Sequence, residues 1–195
     1  MDQGLLFAEL EVKHLTRDEL EAGLDEIRRS PKNDGVLEMV VARPGIEKRR
    51  VLDEGRLDTA TGLIGDNWRI RGSSGTPDGS AHPEMQINIM NVRAVALVAG
   101  PRERWPLAGD QLYVDMDLGE ENLPPGTRIA VGTAVLEITA IPHRGCKKFV
   151  ARFGLDAMKF VNSEVGKQMN LRDVNAKIVQ SGMVRPGDTV RKEGR

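Results

Sequence analysis

One cysteine, Cys146, stands in 195 residues, so no internal disulfide can brace the chain. That suits a reducing compartment, and a cytoplasmic protein is expected. Aromatic residues make up 4% of the sequence, too few for the stacking platforms that hold single-stranded nucleic acid. Neither sign of charge dominates. Lysine and arginine number 28 against 29 acids, so no global field draws the molecule to nucleic acid or to a membrane surface. No apolar run approaches the roughly 18 residues of a membrane span, and MDQGLLFAELEVKHLTRDEL lacks the basic and apolar regions of a secretory signal. Nucleic-acid and membrane partners are therefore not expected. What is present, 39% hydrophobic and 29% charged residues, is enough to build one well-buried core.

HLTRDELEAGLDEIRRSP carries the clearest helix signal. Thr16 is the expected N-cap, Glu19 its reciprocal partner, and Leu15 and Leu20 the hydrophobic staple. Leu20, Leu24 and Ile27 then share one face, and Pro31 ends the helix. Residues 1–34 accordingly read as an N-terminal helical extension and residues 35–195 as a β-barrel domain.

From Gly35 onward the texture is that of strands. VLEMVVAR, Pro44-Gly45 and IEKRRVL read as a hairpin. MQINIMNVRAVALVA, LYVDMDL, TRIAVG, TAVLEITAI, NAKIVQSG and DTVRK follow as further β-prone runs, with helical patches at KKFVARFGLDAMKFVNS and near residues 92–98. Three pairs, Gly65-Asp66, Gly109-Asp110 and Gly187-Asp188, read as turns at strand entries. Residues 71–84, RGSSGTPDGSAHPE, read as a long mobile loop. Many short strands with few helices predict a mainly β protein, a barrel or closed sheet.

Chemistry concentrates in PHRGCKKFVARFG, residues 142–154. His143, Arg144, Lys147, Lys148 and Arg152 surround Cys146, and no acid appears until Asp156. Phe149, Val150 and Phe153 are at helical spacing, and Gly154 can close the turn, so Cys146 is expected near a helix N-terminus. Gly145 before it is expected to let a ligand approach closely. Outward-facing amides and neighbouring cations both lower a thiol pKa, favouring the thiolate that binds metals and attacks electrophiles. The competing reading is a buried, inert cysteine beside a solvated basic loop. His143 is a candidate acid-base group or a polar loop residue, and no zinc-ligand spacing joins it to His14 or His82.

Five segments in order give the chain a family likeness: TGLIGDNW at 61–68, AGDQL at 108–112, DLGEENLPPGTRIAVGTAVLEIT at 117–139, PHRGCKKFVARFG at 142–154 and LRDVNAKIVQSGMVRPGDTV at 171–190. Together they resemble the MOSC domain, the C-terminal domain type of molybdenum-cofactor sulfurases, and in particular the small stand-alone MOSC proteins. The resemblance implies a strand-rich β-barrel and an essential cysteine at Cys146. In one branch of that family the cysteine carries sulfur as a persulfide; in another it ligates molybdenum in a bound pterin cofactor. Asn122 matches a position lining that pocket, and Asp66 matches the Gly-Asp turn at the family's beginning. Arg144, Lys147, Lys148 and Arg152, with Arg69 and Arg71, are the candidates to hold the cofactor's phosphate.

Two activities follow from the resemblance, sulfur transfer or molybdenum-dependent reduction. The first calls for a sulfur donor such as a cysteine desulfurase, the second for a redox partner protein. Full-length sulfurases also carry a pyridoxal-phosphate desulfurase domain, for which this chain has no room, and pyridoxal phosphate is not expected to bind. The alternative is a non-catalytic barrel module whose basic mouth binds an anionic metabolite or protein partner.

Overall fold

Strand β1 (Gly35–Ala42) shows how the body is built. Leu37, Val40 and Ala42 belong to one buried apolar cluster and Met39 and Val41 to another. A register shift against β6 (Leu112–Asp115) between Leu37 and Met39 sends these two residues to opposite faces despite their spacing. Strand β6 repeats the division, with Leu112 and Val114 on one side and Tyr113 on the other. These strands are buried on both faces, which is why they read as continuous apolar runs.

The structure, a computed structural model, describes residues 13–194. The other strands in chain order are β2 (Arg50–Leu52), β3 (Gly55–Asp58), β4 (Gly62–Leu63), β5 (Ile87–Asn91), β7 (Arg128–Val131), β8 (Ala134–Ile138), β9 (Val174–Gln180), β10 (Gly182–Val184) and β11 (Thr189–Lys192). Neighbours run β11-β7-β8-β9-β5-β6-β1, and pairing of Gly35 with Val190 returns β11 to β1 and closes a seven-stranded barrel. Strand β2 extends the sheet beside β1, and β10, β3 and β4 form a small second sheet. All contacts in the barrel are antiparallel except β5 with β6. Closure removes the exposed edges that would otherwise template aggregation.

Helices cover one flank: α1 (Arg17–Ala22), α2 (Leu24–Arg28), α4 (Val92–Ala99), α5 (Lys147–Val161) and α6 (Glu164–Gln168), with α3 (Trp68–Arg71) near one barrel end. Leu20, Ile27, Val95, Phe149, Phe153 and Phe160 from this layer pack with Met39, Val41, Met90 and Tyr113 of the barrel wall. The capping box of Thr16 and Glu19 forms as expected. The single helix expected to follow it does not. Gly23 separates α1 from α2, and Leu97 of α4 presses so closely there that a Cβ would lie 2.6 Å from its Cδ1. The part of the expected extension before Lys13 lies outside the described residues.

The expected hairpin forms, with Val40 opposite Leu52. The run from Met85 to Ala99 divides at Asn91, whose side chain accepts from the amides of Arg93 and Ala94 and starts α4. Gly65, Gly109 and Gly187 all adopt positive φ, as strand-entry turns require. Gly65-Asp66, however, leads into α3 rather than a strand. Between Arg71 and Pro83 there is neither helix nor strand; Thr76 Oγ1 donates to the carbonyls of Ser73 and Ser80 and draws that loop together.

Helix α5 bends at Gly154, where φ is 88° and ψ 166°, a region essentially closed to residues with a side chain. His14 lies over it, 2.9 Å from where a Cβ would be. Gly154→Ala is therefore expected to cost about 1–3 kcal/mol, read as a lower midpoint in urea unfolding, and to loosen the first half of α5.

Candidate functional site

Cys146 is the N-cap of α5, and its side chain is exposed at the rim of a cleft of roughly 210 Å³. Phe149 and Phe153, buried and edge-to-face with centroids 4.8 Å apart, hold this half of the helix to the barrel wall. Partial burial pushes the thiol pKa up. The backbone amides of Phe149 and Lys148 facing Sγ, then the guanidiniums of Arg172 and Arg152, outweigh it, and the pKa falls below the ordinary thiol value. The thiolate is the favoured form at lower pH than in a free cysteine.

The loop before the cysteine is clasped by the far half of the same helix. Asn162 accepts from the Gly145 amide at 2.9 Å and donates to its carbonyl at 3.0 Å. A Cβ on Gly145 would lie 3.1 Å from Val161 and 3.2 Å from Met158. The close approach expected there of a ligand is made by α5 itself.

Six cationic side chains line the cleft, Arg43, Arg49, Arg71, Lys148, Arg152 and Arg172, against one acid, Glu47. Arg152 and Lys148 share that acid. Arg43 is tied bidentately to Asp66, at 2.8 and 3.0 Å, and also donates to Asn88 and to the Gly109 carbonyl. Among the described residues Arg49 donates to the carbonyls of Pro106 and Lys48 and forms no ion pair with a carboxylate. Burial depresses its pKa, and the neighbouring Arg152 and Arg43 depress it further. An anion entering the cleft would relieve that crowding.

Beneath the cleft lies a buried charge cluster. Arg172 Nη1 donates to both oxygens of Asp110, at 3.1 and 2.9 Å, and to Asp173 Oδ2 at 2.9 Å; its Nη2 donates to the Ala108 carbonyl. The guanidinium also covers the Phe149 ring, 5.2 Å from its centroid. His143 Nδ1 meets the same Asp173 Oδ2 at 2.5 Å. Asp110, His143 and Asp173 place ligand atoms within 4.8 Å of one another, but Arg172 already fills the position a cation would take.

Two carboxylates around one guanidinium cannot both ionise cheaply. Burial, with the adjacent Asp173 charge adding to it against the pull of Arg172, pushes Asp110 well above the usual carboxylate range. Burial acts the same way on Asp173, but His143 and Arg172 prevail and hold it well below that range. The two carboxyls are thus pushed in opposite directions around one guanidinium, and among the described residues Asp173 Oδ1 is buried without a hydrogen-bond partner.

Of the residues singled out from sequence, Cys146, His143, Lys148, Arg152 and Arg71 meet at this cleft. Arg69 and Lys147 are exposed and do not line it. Arg144 lines a second cleft, of roughly 180 Å³, which shares His143 and Arg172 with the first. Asn122 lines neither of these clefts: its Nδ2 donates to the carbonyls of Lys32 and Asp117, and its Oδ1 accepts from Lys192 Nζ. Arg43, Arg49, Arg172, Asp110 and Asp173 were not anticipated. The only trace of them was Gly-Asp at 65–66 and 109–110, whose aspartates serve as partners of buried arginines as well as turn residues.

No protein-family model matches the chain, and no curated protein matches it in sequence. Solved structures do resemble it. The YuaD protein of Bacillus subtilis is 16% identical with a TM-score of 0.58, over 83% of this chain and 97% of that one. YiiM from Escherichia coli is 18% identical with a TM-score of 0.53, over 82% and 70%. YiiM from Geobacillus stearothermophilus is 12% identical with a TM-score of 0.50, over 85% and 75%. At such identities the likeness is one of fold: the chain is a small β-barrel of the fold these proteins share.

Arg172→Met would leave Asp110 and Asp173 without their shared cation, and a loss of about 3–5 kcal/mol is expected, seen as a large drop in the urea midpoint. Asp110→Asn should be tolerated. A carboxyl held protonated in the fold loses stability as pH climbs past its unfolded pKa near 4, so this variant's unfolding free energy should decline less than wild type's between about pH 4 and 7.

Proposed function

We propose that this MOSC-type barrel binds a phosphate-bearing molybdenum-pterin cofactor in the basic cleft, with the thiolate of Cys146 as a soft metal ligand. The observation that carries this reading is the pairing of an exposed, acidified thiol with six cations and a single acid in one cleft. A thiolate suits a soft metal centre, and guanidiniums suit phosphate. The donor set fits such a group in kind. In size, roughly 210 Å³ is less than the about 300–1,000 Å³ that encloses whole small ligands, so the anionic end is the part these cations would grip. Arg49, and Arg71 on α3, would hold it, for neither forms an ion pair with a carboxylate among the described residues. Bound there, the cofactor would supply reduction chemistry; the chain's own share is to hold the anion, keep Sγ ionised and fix its position on α5.

A second reading, sulfur carriage as a persulfide on Cys146, draws support from the exposure of Sγ, which a protein donor could reach. A sulfur donor such as a cysteine desulfurase would then be the partner, and a redox protein would serve the first reading. A barrel module that merely holds an anionic metabolite would need the cations but no acidified thiol.

Protein purified from a molybdate-fed host is expected to contain molybdenum and pterin in near-equal amounts, both lost in Cys146→Ser. Persulfide trapped at Cys146 without metal would favour sulfur carriage; neither signal would overturn both. Arg49→Met and Arg71→Met should each weaken retention by about tenfold or more, since a charge-assisted hydrogen bond is worth about 1.5–3 kcal/mol.

A further inference from the structure

One strand edge stands open among the described residues. Strand β2 lies outside the closed ring and pairs with β1 alone. The far side of β1 settles which of its backbone groups face outward. The Val41 amide donates to the Gln111 carbonyl, away from β2, so Val41 and Val51 oppose one another as a non-hydrogen-bonded pair. The N–H and C=O of Val51 consequently point to the open edge, while those of Arg50 and Leu52 turn toward β1.

An open edge is a template for another strand, and folds commonly blunt it with charge, with proline or with a covering element. Charge of a single sign repels a second copy in either direction. This edge is different: it reads Lys48-Arg49-Arg50-Val51-Leu52-Asp53-Glu54, basic before the valine and acidic after the leucine. A second copy aligned in parallel would set like charges side by side. Aligned antiparallel about Val51, the basic run of each copy faces the acidic run of the other. Arg49 is turned into the cleft, which leaves Lys48 and Arg50 as the cations at the edge. Among the described residues neither of them, nor Asp53, belongs to an ion pair, and Glu54 meets only the exposed Arg185.

Apolar surface gathers on the same flank. Six large apolar side chains are exposed among the described residues. Four of them, Ile46 at 83%, Val51 at 49%, Ile64 at 48% and Ile70 at 90%, belong to the β1–β2 turn, to β2 and to the segment from β4 to α3. These segments adjoin. A Cβ on Gly65 would lie 2.9 Å from Arg50 Nη2, and the Asn67 amide donates to the Arg43 carbonyl, where the β1–β2 turn begins. Apolar residues scattered singly over a surface need no account, whereas a group of them rimmed by charge marks a protein interface.

We propose that this surface takes a second copy of the same chain, β2 against β2, antiparallel about Val51. The two-fold axis passes between the two Val51 residues, whose outward N–H and C=O groups exchange two hydrogen bonds. Both copies use one patch, so the pairing is closed and leaves no edge from which a fibre could grow. Ile46 also lines the basic cleft, so the partner copy stands at its rim. The pairing needs no cofactor and does not rest on the reading of Cys146.

A three-residue edge is a small interface, so association in the micromolar range is expected. Sedimentation equilibrium of the full chain at loadings from about 1 to about 100 μM should show the mass rising from one chain toward two. Val51→Pro removes the amide that donates between copies and no bond between β1 and β2. It should weaken association by about tenfold or more, with circular dichroism unchanged. Two double variants test the alignment. Lys48→Glu with Arg50→Glu makes the edge predominantly acidic, and Asp53→Lys with Glu54→Lys makes it wholly basic. Each alone should sediment as a monomer, and an equimolar mixture should recover the dimer, because unlike charges then face one another. Wild-type protein that stays monomeric across the range would overturn the proposal. A dimer that persists in folded Val51→Pro and in both double variants would do so too, since it would lie on another face. Double variants that are monomeric alone and remain so when mixed would overturn the antiparallel alignment.

Discussion

The Arg172 guanidinium is the interaction on which the rest depends. It joins the turn before β6, through Asp110 and the Ala108 carbonyl, to the start of β9, through its own backbone and Asp173. From the same position it covers the ring of Phe149, the side chain that seats the first turn of α5. Barrel, loop and helix therefore meet on one planar cation. A buried guanidinium is costly to desolvate and holds only when its donors are matched, which here takes two carboxylates, one of them neutral. Through Asp173 the same cluster also holds the ring of His143 in place.

The site is consequently built as two opposed layers. The floor carries the buried, paired Asp110 and Asp173; the walls carry cations and Glu47, and among the described residues Arg49 and Arg71 form no ion pair with a carboxylate. Placing a thiol at the boundary puts it where amide dipoles and positive charge converge. The helix that supplies those amides bends at Gly154 and returns to grip Gly145 through Asn162. The fifteen-residue helix and its two caps, Cys146 and Asn162, thus hold both the cysteine and the loop that presents it. The bend is part of the site.

Much of this was legible in the sequence. The capping box and the start of α5 at Cys146 depend on residues within a few positions of each other, and local sterics and hydrogen bonding decide them; the β1–β2 hairpin and the mainly β class showed in the succession of short strand-like runs and turns. The bulge in β1 and the break at Gly23 were not legible, because each answers to a neighbour distant in the chain, β6 in one case and Leu97 in the other. Among the basic residues of 142–154, sequence could count charges but not aim them. Lys147 points to solvent and Arg144 to another cleft, because helix and loop geometry disperses adjacent side chains.

By itself, then, the sequence determined a mainly β chain with a cysteine at a helix start, since periodicity and capping are properties of short segments. Only the tertiary structure decided which charges surround that cysteine. Arg43, Arg49 and Arg71 arrive from before it in the chain, Arg172 from after it, and Asp110 and Asp173 from either side. Electrostatic interaction depends on distance through space and on burial, and neither is written in the order of the residues.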